Sequence, residues 1–292
     1  MMLPFDLPMA GRHSVLPIWN GEEFILGDQR TPVLEYSENF AGWSDDLTRL
    51  HDEVDGDHHP IACASRQDAI LQIKKIMSAK QSIIMEIGCS SGFLIQELVT
   101  TFPQATIIGV DVVKIPLYQL AKKIPGIPFI RFDLLQCPLP NKVIDIIVML
   151  NVLEHIENDM CALTKVFNLL KPGGCLIIEV PAGPYLYDSY DAELCHFMRY
   201  SSLSLEKKLI KVGFELCRKS HIGFIVFPGF AAVKVLNKCF FSRKNRGVVR
   251  DKITQTSGNA LIKYAIEFET KYLSNFQLPF GIRVVMTARR RY

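Results

Sequence analysis

The chain has 292 residues, more than the ~100–200 of one typical domain, which favours one enlarged domain or a domain with appended segments. Hydrophobic residues make up 49% of the chain and charged residues 22%, a globular composition that excludes a disordered polypeptide. The net charge of +3 is too small for a general nucleic-acid binder, so no nucleic-acid partner is expected.

Residues 1–64 are predicted to form an N-terminal arm with a lid. Four prolines in the first 34 residues oppose a long helix and favour an extended arm laid over another surface. Residues 35–57 carry eight acids and one base, a pattern typical of a solvated helix face. The alternative is a lid over a ligand, because Trp43, Leu47 and Leu50 have helical spacing.

Residues 82–92 predict a cofactor-binding turn between a buried strand and a helix. The strand is an apolar run that follows a predicted helix at 65–79, and residues 93–99 have the spacing of an amphipathic helix. Two glycines in the turn let the backbone approach a ligand where a Cβ would intrude, and Ser90 or Ser91 could cap the helix. The candidate binding residues of the turn are Glu86, Gly88, Ser90 and Gly92.

The run Glu86-Ile-Gly-Cys-Ser-Ser-Gly92 resembles the first motif, acid-x-Gly-x-Gly-x-Gly, of class I S-adenosylmethionine (SAM) methyltransferases. Ser90 stands at the middle glycine, which requires an ordinary backbone angle there or a tolerated strain. The resemblance implies that the turn holds the amino-acid and ribose portions of SAM. It also implies a doubly wound α/β fold, Rossmann-like, with a mainly parallel seven-stranded sheet, and it runs from about residue 82 to 181.

The next two strands each end at an acid. The second strand ends at Asp111, 19 residues after Gly92, where a carboxylate can accept both hydroxyl hydrogens of a cofactor ribose. A helix N-cap is the alternative role for Asp111. The third strand is followed by Asp133, and in the methyltransferases that the chain resembles an acid here often accepts the adenine amine. Val112 and Leu134 are then the candidate walls of the adenine pocket, while a turn role for Asp133 remains the alternative.

The fourth strand is followed by Asn151-Val-Leu-Glu-His-Ile156, which resembles the Leu-Glu-His-Ile signature of methyltransferases related to those of ubiquinone and menaquinone biosynthesis. Asn151 is expected to meet the amino-acid end of the cofactor. His155 would lie near the cleft, where a neutral imidazole could take a proton from a hydroxyl acceptor. The alternative for His155 is a structural role, in which a histidine at the start of a helix bonds to the backbone.

The segment after the fifth strand is dense in aromatic and polar residues and is predicted to bind the acceptor. Its candidate contacts are Tyr185, Tyr190, Arg199 and Tyr200. His196 in this segment is the second candidate base and is preferred to His155, whose signature accompanies many acceptors. Arg199 could clamp a carboxylate or phosphate, or form a surface ion pair with Asp191 or Glu193.

The chain is predicted to divide into the arm, a SAM-binding core at 65–222, a helical insertion at 223–280, and a final strand with a basic C-terminus at 281–292. Within the insertion, residues 231–250 contain six bases and no acid. Such a segment could lie on an anionic membrane surface as a peripheral contact. It could equally be a core helix followed by a solvated loop.

Two features bear on metal and location. Eight cysteines without a Cys-x-x-Cys pair indicate neither zinc nor disulfides and favour a reducing, cytoplasmic compartment. If the basic segment binds lipid, the protein would lie peripheral to the inner face of a membrane. His58 and His59 are adjacent, but the sequence places no third ligand, so no metal is predicted. The start of the chain lacks a signal-peptide pattern, and no apolar run reaches the ~18 residues of a spanning helix.

The sequence therefore predicts an enzyme that transfers a methyl group from SAM to a small-molecule, glycan or lipid-linked acceptor. Oxygen is the preferred acceptor atom because candidate bases are present. An NAD-dependent dehydrogenase is one alternative, but its Gly-x-Gly-x-x-Gly turn would require glycine at Phe93. A non-catalytic interaction module that kept the SAM fold is the other.

Overall fold

The computed structural model describes residues 2–10, 15–36, 59–77, 81–89, 92–240 and 260–291, with the side chains of 237–240 excepted. The strands are β1 Ile18–Trp19, β2 Phe24–Leu26, β3 Gln29–Thr31, β4 Val33–Glu35, β5 Ile83–Ile87, β6 Thr106–Asp111, β7 Phe129–Arg131, β8 Ile144–Leu150, β9 Leu170–Pro181, β10 Phe214–Ile222 and β11 Arg283–Arg290. The helices are α1 Pro60–Ile76, α2 Phe93–Thr101, α3 Ile115–Lys123, α4 Asp159–Leu169, α5 Ser189–Glu193, α6 Ser202–Val212, α7 Phe227–Phe240 and α8 Ala260–Leu273.

The main sheet has the strand order β10-β11-β9-β8-β5-β6-β7-β4. Strands β4 to β9 in this sheet pair in parallel, whereas β11 is antiparallel to both β9 and β10. The predicted α/β class with a mainly parallel sheet is confirmed. Parallel pairing places the carboxyl ends of β5, β6 and β8 at one edge, where ligands bind in such folds.

The sheet has eight strands where the sequence predicts seven, because the N-terminal arm adds β4. Val33 and Leu34 in β4 are each 1% exposed, and Val33 pairs with Phe129 of β7. Pro32 precedes the strand and so removes no donor from its ladder, which is why a proline-containing arm can still supply an edge strand. The arm therefore belongs to the sheet and its core.

The rest of the described arm forms a small antiparallel sheet of β1, β2 and β3. Trp19 and Phe24 pack with ring centroids 4.7 Å apart, and both belong to the main hydrophobic core. The Tyr36 hydroxyl donates to the Pro8 carbonyl at 2.8 Å. The proposed lid residues Trp43, Leu47 and Leu50, as well as His51 and His58, lie outside the described residues.

The core lies on both faces of the sheet because its central strands are apolar at successive positions. In β5, Met85 and Ile87 pack into the cluster on one face, and Ile84 packs into the cluster on the other. All five residues of β5 are buried. The unbroken apolar run that predicts a buried strand is thereby explained by helices that cover both faces.

Residues 171–174, Lys-Pro-Gly-Gly, predict a turn that ends the preceding helix, but the structure incorporates them into β9. Pairing with β8 shifts between Ile144↔Leu170 and Ile146↔Cys175, so the four residues bulge out of the ladder. Lys171 Nζ bonds to Asp145 Oδ2 at 2.8 Å, and a Cβ on Gly174 would lie 3.0 Å from the Asp145 carbonyl oxygen. The motif thus joins the helix to the sheet directly, without an intervening loop.

The C-terminal helices pack on the core rather than standing apart from it. Ile266 of α8 is buried with Ile61 of α1 and Val285 of β11. Lys234, counted above among the bases of a membrane-facing or solvated run, is only 7% exposed and forms ion pairs inside the protein. Residues 241–259, which include four of the six bases of that run, lie outside the described part. Within the described residues, no helix combines the length and apolar character needed to cross a bilayer.

Candidate cofactor and acceptor site

The turn after β5 depends on two glycines. Gly88 has φ +81°, and a Cβ there would lie 2.3 Å from Val152 Cγ2. Gly92 has φ +75° and is the N-cap of α2, where a Cβ would lie 2.2 Å from Leu120 Cδ1. The N-cap is thus Gly92 rather than either serine. Ser90 lies outside the described residues, so its part in cofactor binding stays a prediction.

Two buried carboxyl groups stand at adjacent strand ends beside this turn. Burial and the nearby Asp111 raise the pKa of Glu86 well above its usual range. Glu86 Oε2 has no hydrogen-bond partner within the described chain. Asp111 Oδ1 accepts the backbone N–H groups of Val112 at 2.7 Å and Val113 at 3.3 Å. These two bonds close a local turn after β6, whereas the N-cap of α3 is Lys114, so the N-cap alternative for Asp111 is wrong and the ribose role stays a prediction.

Arg66 of α1 is a charged neighbour of the turn that sequence reasoning missed. It is 8% exposed, its Nε donates to Glu97 Oε1 at 2.6 Å, and its guanidinium lies 5.5 Å from the Phe93 ring centroid. Its charge also lowers the pKa of Glu86, against the larger effect of burial. No motif marks Arg66 because it lies on a helix that precedes the first strand of the core.

The predicted adenine residues lie beside β6 and β7. Asp133 Oδ1 accepts the Leu135 N–H at 2.9 Å, which is the turn role named as its alternative. Leu134 is 4% exposed and packs in the main core, whereas Val112 is half-buried and its carbonyl accepts from Arg131 Nε at 2.9 Å. Val112 and Asp133 therefore keep accessible surface beside these strands, whereas Leu134 is buried.

Asn151 lies at the carboxyl end of β8 with φ +54°. Its Nδ2 donates to Glu179 Oε1 at 3.0 Å, and Arg283 donates to the same oxygen at 3.2 Å. Within the described residues, Asn151 Oδ1 is a buried acceptor that no donor meets. Glu179 and Arg283 were not predicted as site residues; they orient the amide so that its oxygen can accept from a ligand ammonium.

Asp191 is the centre of a buried charge network in the predicted acceptor segment. It is fully buried and accepts from His196 Nδ1 at 3.0 Å, Arg199 Nε at 2.8 Å and Lys234 Nζ at 3.1 Å. Burial opposes ionisation, but these hydrogen bonds and charges hold the pKa of Asp191 well below its usual range. The network joins α5 to α7.

The network corrects one of the two roles considered for Arg199. Arg199 is 7% exposed, so its pair with Asp191 is a buried ion pair and not a surface one. Its Nη1 donates to the Ala182 carbonyl at 3.1 Å. Two of the five N–H donors of the guanidinium are thereby bonded within the protein, and the clamp role of Arg199 stays a prediction.

The three predicted tyrosines have different surroundings. Tyr200 is 1% exposed, and its hydroxyl donates to Asp159 Oδ2 at 2.9 Å. The Tyr200 side chain is therefore part of the core, and burial together with Asp159 raises its pKa, which makes it a poor base at neutral pH. Tyr185 is 63% exposed, and the Tyr190 ring lies 5.2 Å from Lys234 Nζ. These two remain candidates for acceptor contact.

The two candidate bases, which the sequence treats as competitors, are neighbours. The rings of His155 and His196 are 4.7 Å apart between centroids, edge to face. Donor atoms of Glu154, His155 and His196 all lie within 4.8 Å of one another. A carboxylate and two imidazoles could hold a metal ion. The sequence gives no signal for this cluster, because His196 lies 41 residues after His155 and no motif marks Glu154 as a ligand.

Burial sets the protonation of this group in the absence of a ligand. It raises the pKa of Glu154 to about 8, with smaller opposing effects from a backbone hydrogen bond and from Arg283. Burial also lowers the pKa of His196, and the hydrogen bond to Asp191 opposes that shift. A neutral imidazole at position 196 is consistent with either a base or a metal ligand.

Comparisons with known proteins agree with the fold and the turn. Residues 85–178 match a family model described as a methyltransferase domain. A trans-aconitate 2-methyltransferase from Acidovorax sp. (strain JS42) is 30% identical over 98 residues, which cover 34% of this chain and 38% of that protein. A malonyl-acyl carrier protein O-methyltransferase from Halalkalibacterium halodurans is 30% identical over 115 residues, or 37% of this chain and 42% of the relative.

Residues 85–178 form a class I SAM-dependent methyltransferase domain. SAM is the methyl donor of this class. The matched segment spans about two fifths of each curated relative, so the comparisons describe the cofactor-binding domain rather than the whole chain. The narrower likeness to ubiquinone and menaquinone enzymes stays a prediction.

Solved structures show the same fold over more of the chain. The phosphoethanolamine N-methyltransferase 2 of Haemonchus contortus, in complex with S-adenosylhomocysteine, has a TM-score of 0.55 at 15% identity and covers 84% of this chain and 57% of that one. The cyclase SpnF has a TM-score of 0.54 at 15% identity, covering 87% and 98%. At these identities the likeness shows the fold alone.

The methyltransferase turn should tolerate no side chain at Gly88. We expect Gly88→Ala to lower the free energy of unfolding by about 1–3 kcal/mol, because Val152 fills the space and φ is positive. Chemical denaturation measures this. Adding Val152→Ala should remove the steric overlap and so restore part of the lost stability, but the strain of the positive φ at position 88 should remain. Gly229→Ala in α7 is the matched control, since a Cβ there meets nothing within 4 Å. Equal stability of Gly88→Ala and wild type would contradict this account of the turn.

Proposed function

We propose that the chain transfers a methyl group from SAM to an oxygen atom of a small-molecule, glycan or lipid-linked acceptor. The observation that carries the proposal is the meeting of Glu86, Asp111 and Asn151 at the carboxyl ends of three adjacent strands, β5, β6 and β8, within a methyltransferase domain. Fold likeness alone would not select a reaction, because one fold supports many activities. The three side chains at this edge add an argument, since they can accept hydrogen bonds from SAM.

SAM matches the unsatisfied groups at this edge. Glu86 Oε2 and Asn151 Oδ1 are buried acceptors without a described partner, and the SAM ammonium and ribose hydroxyls are donors. In the proposed complex the turn of Glu86, Gly88, Ser90 and Gly92 holds the amino-acid and ribose portions. Asp111 accepts from the ribose diol. Asp133, Val112 and Leu134 then surround the adenine.

The chemistry required of the protein is mainly alignment. The sulfonium is intrinsically reactive, so the chain must hold acceptor, methyl carbon and sulfur in line and exclude water. His155, in the turn after β8, and His196 are in contact and are the side chains proposed to contact the reacting oxygen. Tyr185 and Tyr190 line the approach. Arg199 and Tyr200 support this segment from within the protein.

An oxygen acceptor agrees with one of the relatives compared above, which is named as an O-methyltransferase. The dehydrogenase alternative is disfavoured by Phe93 at the third glycine position and by the family match over residues 85–178. The cyclase SpnF shares this fold, so the fold by itself does not imply methyl transfer. Product formation decides between methyl transfer and the non-catalytic alternative.

The first prediction of the proposal concerns cofactor binding. S-adenosylhomocysteine at a hundred times its Kd should stabilise the protein by about 2.7 kcal/mol, because it binds the native state alone. Asp111→Asn should lose most of this stabilisation while its amide oxygen still accepts from Val112 and Val113. Asp28→Ala, in the exposed β2–β3 turn, is the control. Thermal melting with and without ligand measures both variants.

An Asp111→Asn variant with the full ligand-induced shift would place the ribose elsewhere. NAD serves as the competing ligand in the same assay. If NAD stabilised the protein and S-adenosylhomocysteine did not, the proposed cofactor would be wrong.

The second prediction concerns the acceptor side. Acceptors are found by incubating a cell extract with methyl-deuterated SAM and the protein, then searching by mass spectrometry for products that carry the heavier methyl group. With such an acceptor, His196→Gln should lower turnover by ~10²–10⁴ and keep the S-adenosylhomocysteine shift. His155→Gln should also lower turnover, because the two rings are in contact.

His221→Gln is the matched control. His221 lies on β10, is also buried, and bonds to the Leu278 carbonyl. Near-normal turnover in both His155→Gln and His196→Gln at saturating acceptor would remove both histidines from the reaction. No labelled product from any extract would favour the non-catalytic alternative.

A further inference from the structure

Glu154, His155 and His196 are brought together by backbone pairing. Glu154 and His155 belong to a short 3-10 turn, Leu153–His155, directly after β8. The Phe197 N–H donates to the Glu154 carbonyl at 2.7 Å, which fixes the segment of His196 against this turn. The three side chains therefore converge through main-chain structure and not through a chance surface contact.

The carboxyl group of Glu154 is a buried acid without a hydrogen-bond partner among the described residues. It is fully buried, and neither of its oxygens has a hydrogen-bond partner from another described residue. The nearby arginines have carboxylates of their own, since Arg283 pairs with Glu179 at 3.2 Å and Arg199 with Asp191 at 2.8 Å. An ionised carboxylate without a partner would cost several kcal/mol here, and a bound cation would supply that partner.

The orientation of His196 is fixed by a second carboxylate. Its Nδ1 bonds to Asp191 Oδ1 at 3.0 Å, which leaves Nε2 as the nitrogen available to a ligand. A histidine that binds metal through one nitrogen almost always donates from the other to a carboxylate or carbonyl. Asp191 occupies that position, and its own charge is balanced by Arg199 and Lys234.

We propose that Glu154, His155 and His196 bind one divalent transition-metal ion, with Zn²⁺ as the simplest case. Two imidazoles and one carboxylate form the ligand set of many catalytic zinc sites, which keep a further position open for an oxygen ligand. Ligand atoms of such a site are about 2.0–2.1 Å from the ion and so roughly 3.4 Å apart. The present separations, all within 4.8 Å, require side-chain adjustments of about one ångström.

This inference goes beyond the proposed function and stands independently of it. If both hold, the open position faces the acceptor oxygen, and His155 and His196 act as ligands rather than as alternative bases. Substitution of either histidine would then lower turnover for the same reason. Ion binding needs neither SAM nor acceptor, so it is tested without methyl transfer.

The test measures Zn²⁺ binding to the tag-free full chain after removal of metals by a chelator. Elemental analysis after dialysis against Zn²⁺ should find about one ion per chain, and added Zn²⁺ should raise the melting temperature. Competition with a chromophoric chelator gives the affinity. Glu154→Gln and His196→Asn should each weaken it by at least 10-fold, since each removes a ligand.

Asp191→Asn is expected to weaken Zn²⁺ by 10–100-fold through the orientation of His196. Because Asp191 also pairs with two cations, Glu154→Gln is the decisive variant: its amide has nearly the same shape as the acid. His221→Asn is the control for a buried histidine outside the cluster and should bind Zn²⁺ as the wild type does. A cooperative thermal transition in the absence of Zn²⁺ establishes that each variant is folded.

Wild-type protein that holds no Zn²⁺ after dialysis would overturn the proposal. So would Glu154→Gln and His196→Asn variants that bind Zn²⁺ as tightly as the wild type, because the ion would then lie elsewhere. If the wild-type protein binds Zn²⁺ but transfers no methyl group to any acceptor, the proposed function is wrong and the metal site stands.

Discussion

The burial of carboxylates at one edge of a parallel sheet is the constraint on which this site depends. Each buried acid needs compensation, because an unpaired charge in the interior costs several kcal/mol. Asp191 accepts hydrogen bonds from His196, Arg199 and Lys234. Glu179 accepts from the Asn151 amide and from Arg283. Glu86 and Glu154 keep oxygens without described partners. The edge is therefore electrostatically incomplete at the two places where the cofactor and the acceptor are proposed to bind.

Local patterns predicted much of the fold. The apolar run before Gly88 predicts a strand buried on both faces, and the alternation of strands and helices predicts the parallel sheet. The sequence also predicts a helix at residues 260–273, and α8 spans the same residues. These features follow from nearest neighbours in the sequence, so one sequence is enough to find them.

What the sequence could not predict depends on pairs that are distant along the chain. Lys234 reads as one base in a basic run, yet it lies against Asp191, 43 positions earlier. His155 and His196 read as competitors and prove to be in contact. Strand β4 joins the sheet through pairing with β7, although the prolines around it favour an irregular arm. Register and long-range ion pairing are tertiary properties without a local signal.

The central claim is that SAM and its acceptor meet between the β5 turn and the Glu154–His155–His196 cluster. A crystal structure of the chain with S-adenosylhomocysteine tests this most directly. The account predicts the ligand across the carboxyl ends of β5, β6 and β8, with its amino group at Asn151 and its sulfur facing the two histidines. A ligand bound elsewhere, or one whose sulfur points away from His155 and His196, would contradict it.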